Sequence, residues 1–344
     1  MRIKLGFGSW LSAFALLIGL AVWAGPSAAQ DAKAFYKGKT VKFLVGYGVG
    51  GGYDAYARML APHLSKALDA NVIVQNQPGA GGLVALNGLY AASGDGTQIM
   101  IVNGTAAGLS QLVGDPNVRF DLTKLGTLGV VSSSPWIWVA GPKSSLKTPA
   151  DFLKPGAKPI WGGGGQIDGL SDGAAITCLA LKLDCKIVRG YEGSAQVALA
   201  LARGEVDALY VSDTSANNYA KAGNAIPILT MSADKSQFFP NLPSVFDAVK
   251  LTADQKWWFE FRSTLDDLGR ILVAPPNLPK EQLAYLQDTV RKVLADPEVI
   301  AEGAKSNRYI AYRDPAATGK MLAGALTAIT PAQKKALTDA VMKE

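Results

Sequence analysis

Past residue 30 the chain is built from short apolar runs that stop at glycine-rich or polar turns and then change to a helical period. The run at Val41–Val45 ends in "VGYGVGGGYD", residues 45–54. From Asp54 onward Tyr56, Met59, Leu60, Leu64, Ala67 and Leu68 recur at helical spacing. Asp54 sits where a first-turn acid favours a helix. The strand "NVIVQN", the turn "QPGAGG" at 77–82, the helix "LVALNGLYAA", the turn "GDGT" and the strand "QIMIVNG" follow. Strand, helix, strand, helix, strand with short connections predicts a parallel sheet covered by helices. Right-handed crossovers bring the loops after the strands to one edge, where ligands of such sheets bind.

The rhythm restarts at Thr105. "LGTLGVV" and "WIWVAG" read as strands, and Thr148-Pro149 opens a short helix. "KPIWGGGGQIDG" repeats the opening design: a strand ending at Trp161, a glycine-rich turn, then the helix "SDGAAITCLALKL". "KIVRGYEG", "SAQVALALARGE" and "VDALYVSD" add strand, helix and strand, which predicts a second α/β domain. Strands resume with "IPILTMS" and "RILVAPP", separated by a polar and aromatic loop region holding "QKWWFEFRSTLDDLG". The helix "PKEQLAYLQDTVRKVLADP" and an alanine-rich helical end complete the chain. The expected organisation is one discontinuous domain of 30–104 and 228–344 and a second of 105–227. Two crossings between them would form a hinge.

The ends and the charge narrow the setting. Arg2 and Lys4, the apolar run "LSAFALLIGLAVWAG" and the small residues Ser27-Ala28-Ala29 predict a secretory leader over 1–29, cut after Ala29. Loss of Arg2 and Lys4 takes the formal charge from +6 to +4. That balance, without a Lys/Arg run, argues against a nucleic-acid partner. No later apolar run is long enough to span a membrane. Cys178 and Cys185 are the only cysteines of the 344 residues. In an oxidising compartment a disulfide between them is expected, the alternative being two reduced cysteines in an apolar core.

The chemistry-bearing residues point to capture rather than reaction. Gly46, Gly48 and Gly51 satisfy the dinucleotide pattern G-x-G-x-x-G, yet Gln75 and Asn76 stand where its ribose-binding acid belongs. His63 is the single histidine, on the first helix, and there is no Gly-x-Ser-x-Gly elbow or metal-ligand spacing. No enzyme, cofactor or metal is therefore expected. What remains is two glycine-rich loops that enter helices, one per domain, whose backbone N–H groups suit an anion such as a carboxylate.

At this point the residues resemble a family. The segment 39–104, with its strand, triple glycine, Tyr-Asp, helix, "NQPGAGG" and "DG", resembles the substrate-binding receptors of tripartite tricarboxylate transporters, the Bug receptors. "GGGG", "GYEGSAQVALALARGEVDALY" and "RILVAPPNLPKEQLAYLQ" resemble the corresponding later segments more loosely. The resemblance implies an α/β, two-domain periplasmic binding protein of the type II clamshell kind, with its ligand cleft between the domains. It implies a monomer that delivers a small organic carboxylate to the membrane subunits of the transporter. The same closed form would also serve a sensory protein that signals to a membrane receptor. Carried over, the first-domain loop contributes Tyr47, Gly48, Gly50, Gly51, Gly52, Tyr53 and Asp54. The second contributes Gly163, Gly164, Gly165, Gln166, Asp168, Ser171 and Asp172, with Thr105 and Asp213 beside the cleft. Two positions depart from the family's pattern: Tyr47-Gly48-Val49 replaces phenylalanine-proline-proline, and Asp172 stands where many members have histidine. Tyr47, Tyr53, Trp136 and Trp161 are expected to line the cleft and to favour an aromatic or bulky acid.

Overall fold

The computed structural model describes residues 26–342 except 328. The expected leader lies outside the described residues but for its last four, which open the helix Pro26–Tyr36. In chain order the described strands are β1 (Thr40–Val45), β2 (Asn71–Asn76), β3 (Gln98–Asn103), β4 (Gly126–Ser132), β5 (Trp136–Ala140), β6 (Ile160–Gly162), β7 (Lys186–Val188), β8 (Ala208–Ser212), β9 (Ile226–Thr230) and β10 (Arg270–Ala274). They form two five-stranded sheets, ordered β2-β1-β3-β10-β4 and β7-β6-β8-β5-β9. β1, β2 and β3 are parallel, as the alternation of strands and helices predicts, and β10 runs antiparallel between β3 and β4. In the second sheet β5 lies antiparallel between β8 and β9.

Strands covered on both faces read as continuous apolar runs rather than alternating ones. β5 and β8 are buried at every position. One apolar cluster joins the first sheet to the helices Gly52–Leu68 and Lys280–Leu294, through residues such as Phe43, Leu60, Leu64, Leu286 and Val290. The other is continuous through both lobes, from Leu44 and Met100 to Trp138, Phe152 and Trp161.

The sheets place the crossings later than the expected boundaries. β4 pairs with β10 and so belongs to the first lobe, whereas β9 pairs with β5 and belongs to the second. The chain therefore leaves the first lobe between Ser132 and Trp136 and leaves the second after Thr230, not at 104/105 and 227/228. The local pattern identified β4 and β9 as strands, but sheet membership is set by long-range pairing. The segment read as a loop around 255–269 is mostly a helix, Ala253–Asp266. Thr252 caps it reciprocally with Gln255, and its buried side is Trp258, Phe259, Phe261, Arg262, Leu265 and Asp266. That helix packs on Leu170–Leu181 of the second lobe and on Gly104–Val113 of the first. The C-terminal helix Pro331–Val341 bridges the same two helices. Cys178 and Cys185 are joined by a disulfide, with Cα atoms 6.1 Å apart, that ties the end of Leu170–Leu181 to β7.

Candidate functional site

The two glycine-rich loops leave the strand ends β1 and β6 and face each other across the lobes. Tyr47 donates its hydroxyl to the Gly81 carbonyl (3.0 Å) and to the Asp168 carbonyl of the opposite lobe (3.3 Å). Asn103, at the end of β3, donates to both the Tyr47 hydroxyl (3.2 Å) and the Asp168 carbonyl (3.0 Å). The Gly48 N–H donates to the Glu192 carbonyl (2.8 Å), a third link between the lobes. Nearby the backbones touch directly. A Cβ on Gly81 would meet the Asp168 Cβ at 2.6 Å, and one on Gly165 would meet the Gly81 Cα at 2.8 Å. The turn 77–82 is therefore half of an interlobe contact, not only a tight turn.

Between the loops lies a cavity of about 30 Å³, walled by Tyr47, Tyr53, Trp136, Leu170 and Val211 and floored by Gly51 and Gly52. That holds no more than a water or two, so the lobes stand closed on each other. Next to it, towards the outside, is a space of about 160 Å³ bounded by Pro78–Gly81, Gly164, Gly165, Asp168 and Glu192. The expected residues divide into those that face these spaces and those that hold the frame. Tyr47, Gly51, Gly52, Tyr53 and Asp168 line the inner cavity; Gly164 and Gly165 line the outer one. Tyr47 and Tyr53 stack at 4.8 Å, and Trp136 stacks on Tyr210. Trp161 is instead core of the second lobe, against Trp138 and Phe152.

The frame residues are committed elsewhere. Asp54 accepts from Arg58 (2.9 Å), Asn76 (2.9 Å) and the Gly50 N–H (2.9 Å). Burial pushes its carboxyl up, but these donors hold it below the usual carboxylate range. Thr105 does not face the cleft: its hydroxyl donates to the Leu265 carbonyl (2.7 Å) and pins the bridging helix. The Gly163 N–H belongs to the β6–β7 edge, donating to Val188 (2.9 Å). Gln166 reaches away to the Val341 carbonyl (2.7 Å). Ser171 is fully buried, and Asp213 accepts from Ser236 (3.1 Å) at the start of helix Asp213–Lys221. His63 contacts Glu302 at 2.7 Å on the outside of the first lobe.

Four N–H groups of the second loop and the helix it enters are already occupied by its own acids. Asp168 accepts from Gly164 (2.6 Å), Leu170 (3.1 Å) and Ser171 (2.6 Å), and Asp172 accepts from Gly169 (2.9 Å). Burial pushes the Asp168 carboxyl up to about 6, aided by the charge of Asp172 and opposed by the Ser171 and Gly164 N–H donors. Asp172 also receives Arg262 (3.1 Å), whose other carboxylate partner is Asp266. The Arg262 guanidinium lies beside the stacked Trp136 and Tyr210 rings, 5.2 and 5.1 Å from their centres.

The first loop differs. Its helix Gly52–Leu68 begins at Gly51, which has no side chain to cap it. Beside that end stands Arg270, the first residue of β10, which the sequence reading passed over as part of an apolar strand. Its guanidinium donates to Ser132 (3.3 Å) and, across the lobes, to Ser212 (3.1 Å). It lies over Tyr53 and Tyr56 at 5.2 and 4.5 Å. Asn103, Ser194, Ser212 and Ser215 also line the inner cavity and were likewise missed. The available signal was the charge of Arg270 opening an otherwise apolar central strand.

Two α/β lobes joined by two crossings, with strand-end loops meeting at one cavity, define a clamshell solute-binding protein. The profile described as "Tripartite tricarboxylate transporter family receptor" matches residues 56–328, and the chain belongs to that family of receptors. A relative, a UPF0065 protein of Bordetella pertussis, is 25% identical over 292 residues, covering 83% of this chain and 86% of its own. Among solved structures, MatC of Rhodopseudomonas palustris with bound malate superposes with a TM-score of 0.72 at 18% identity, over 87% of this chain and 99% of that one. The periplasmic binding protein BugD gives 0.72 at 20% identity, over 89% and 98%. At these identities the structures speak for the fold. Among the described residues no helix is long and apolar enough to cross a membrane.

Proposed function

We propose that the protein is a periplasmic receptor that closes on a small organic carboxylate and presents it to the membrane subunits of a tripartite tricarboxylate-type transporter. The observation that carries this is the meeting of loops from opposite lobes at one cavity, held by the Tyr47 and Asn103 bonds to the Asp168 carbonyl. A site made of residues from both lobes is complete only when they close, so ligand affinity drives closure. Binding and release without bond-making suit a receptor. The malate in MatC supports a carboxylate as the ligand class. The test is a melting-temperature titration of the mature protein with a panel of mono-, di- and tricarboxylates. A ligand at a hundred times its dissociation constant adds about 2.7 kcal/mol. A flat response to every acid refutes the reading.

A further inference from the structure

The cavity between the lobes holds a buried cation with no ion-pair partner among the described residues. Arg270 is 5% exposed, yet its hydrogen bonds go to two neutral hydroxyls, Ser132 and Ser212, and its Nε has no partner. Among the described residues no carboxylate reaches ion-pairing distance of it. Asp213 is near enough to feel its charge but bonds to Ser236 instead. A buried charge is costly unless it is paired, which makes such a group a seat for an anion. Three features agree. Arg270 lines the inner cavity and is the one cation among the described residues that do. A Cβ on Gly52 would lie 3.3 Å from its Nη2, so the guanidinium adjoins the side-chain-uncapped, positive end of the helix Gly52–Leu68. The matching helix end in the second lobe is already occupied by Asp168.

We infer that Arg270, with the N-terminus of Gly52–Leu68 and the Ser212 hydroxyl, is the seat of the ligand's carboxylate, and that the ligand is a monocarboxylate with an apolar body. This rests on the receptor reading above and names its ligand class. The guanidinium fork suits a carboxylate, its planar face being already supported by Tyr53 and Tyr56. The apolar body follows from the walls, Tyr47, Tyr53, Trp136, Leu170 and Val211. The single carboxylate follows from what lies beyond. Asp168 borders both spaces, but the outer one adds Glu192 and has no cation among its described lining residues, whereas the inner one has Arg270, so a second carboxylate in the outer space meets like charge. Arg262 offers no second seat, being paired with Asp172 and Asp266.

The experiment is calorimetry and thermal shift on the mature protein, with benzoate, phenylacetate and hexanoate against succinate, malate and adipate. At least one monocarboxylate is expected to bind about tenfold or more tighter than every dicarboxylate. Arg270→Gln is expected to weaken that acid by ~30-fold or more, the value of a charge-assisted pair, and Arg270→Lys by less. A purely structural arginine lowers the melting temperature when replaced. An unpaired ligand-binding one leaves the unliganded R270Q protein at least as stable as the wild type while removing the ligand-induced rise. Unchanged affinity in R270Q overturns the assignment. If R270Q does not fold, unchanged affinity in R270K overturns it equally. Tighter binding of a dicarboxylate overturns the ligand class alone. If the wild type binds no acid of any kind, the receptor reading falls with it.

Discussion

Asp168 shows how one side chain answers to two demands. Its carboxylate closes the N-terminus of the helix Leu170–Leu181, and its carbonyl receives Tyr47 and Asn103 from the other lobe. Burial lifts its carboxyl to about 6, above the value near 3.8 for an exposed group. Between these two values the folded protein holds a proton that the unfolded chain has released. Its contribution to stability is therefore full below about pH 4, is lost as pH rises through about 6, and stays lost at neutral pH. Urea melts at pH 5 and pH 7.5 are expected to show greater stability at pH 5 from this group, by ~1 to 1.5 kcal/mol, the part of its contribution that persists at pH 5. Asp168→Asn should flatten much of that difference. Asp266, also buried and lifted to about 7, adds a slope of the same sign that persists in the variant. An unchanged pH dependence in D168N would show that its carboxyl is not displaced.

Two loops and one disulfide carry the element-level consequences. Gly81 has φ +67° and no room for a Cβ against Asp168, so alanine there opposes the closed contact. Gly81→Ala is expected to lower affinity for the bound acid by tenfold or more, with a fold loss of only ~1 kcal/mol; unchanged affinity would show that the loops need not touch. The Cys178–Cys185 bridge closes a short loop at the rear of the second lobe. Its replacement by serines should cost about 2 to 3 kcal/mol in denaturant melts and leave ligand affinity unaltered. The local pattern was sufficient to place the glycine loops, because a strand stopping at glycines before a helical period is a short-range signal. It was not sufficient to tell which loop N–H groups stay available. Asp168 and Asp172 satisfy their own loop, which only the folded turn reveals.

For the molecule, the bridging helix Ala253–Asp266 is the decisive piece. It sets Arg262 against Asp172 of the second lobe and Asp266 of its own, wholly out of water. Arg262→Met alone should destabilise by ~3 to 5 kcal/mol, since it leaves two buried acids unpaired. Combining it with Asp172→Asn and Asp266→Asn should recover much of that loss. Denaturant melts of the single and triple variants check this, and equal stability of the two would refute the charge account. With an inner cavity of about 30 Å³, entry of any organic acid requires the lobes to part about the crossings after Ser132 and Thr230.

The sequence by itself determined most of the elements, the two-lobe α/β class, the two glycine-rich loops and the family resemblance, because each is written in residues close together along the chain; the helix Ala253–Asp266, read as a loop, is the exception. The tertiary structure decided the rest. β4 and β9 exchanged lobes relative to expectation because pairing is made with strands far away in sequence. Thr105, Asp172 and Trp161 turned to the frame, since the partners that claim them come from other elements. Arg270 entered the site from a strand at the far end of the chain, as one charge opening an apolar run. Its meaning lay in its having no ion-paired carboxylate among the described residues, which only the fold shows. On the proposal above, Val45–Asp54 is one jaw of the clamp, and its partner for an anion is that arginine rather than the opposing loop's backbone.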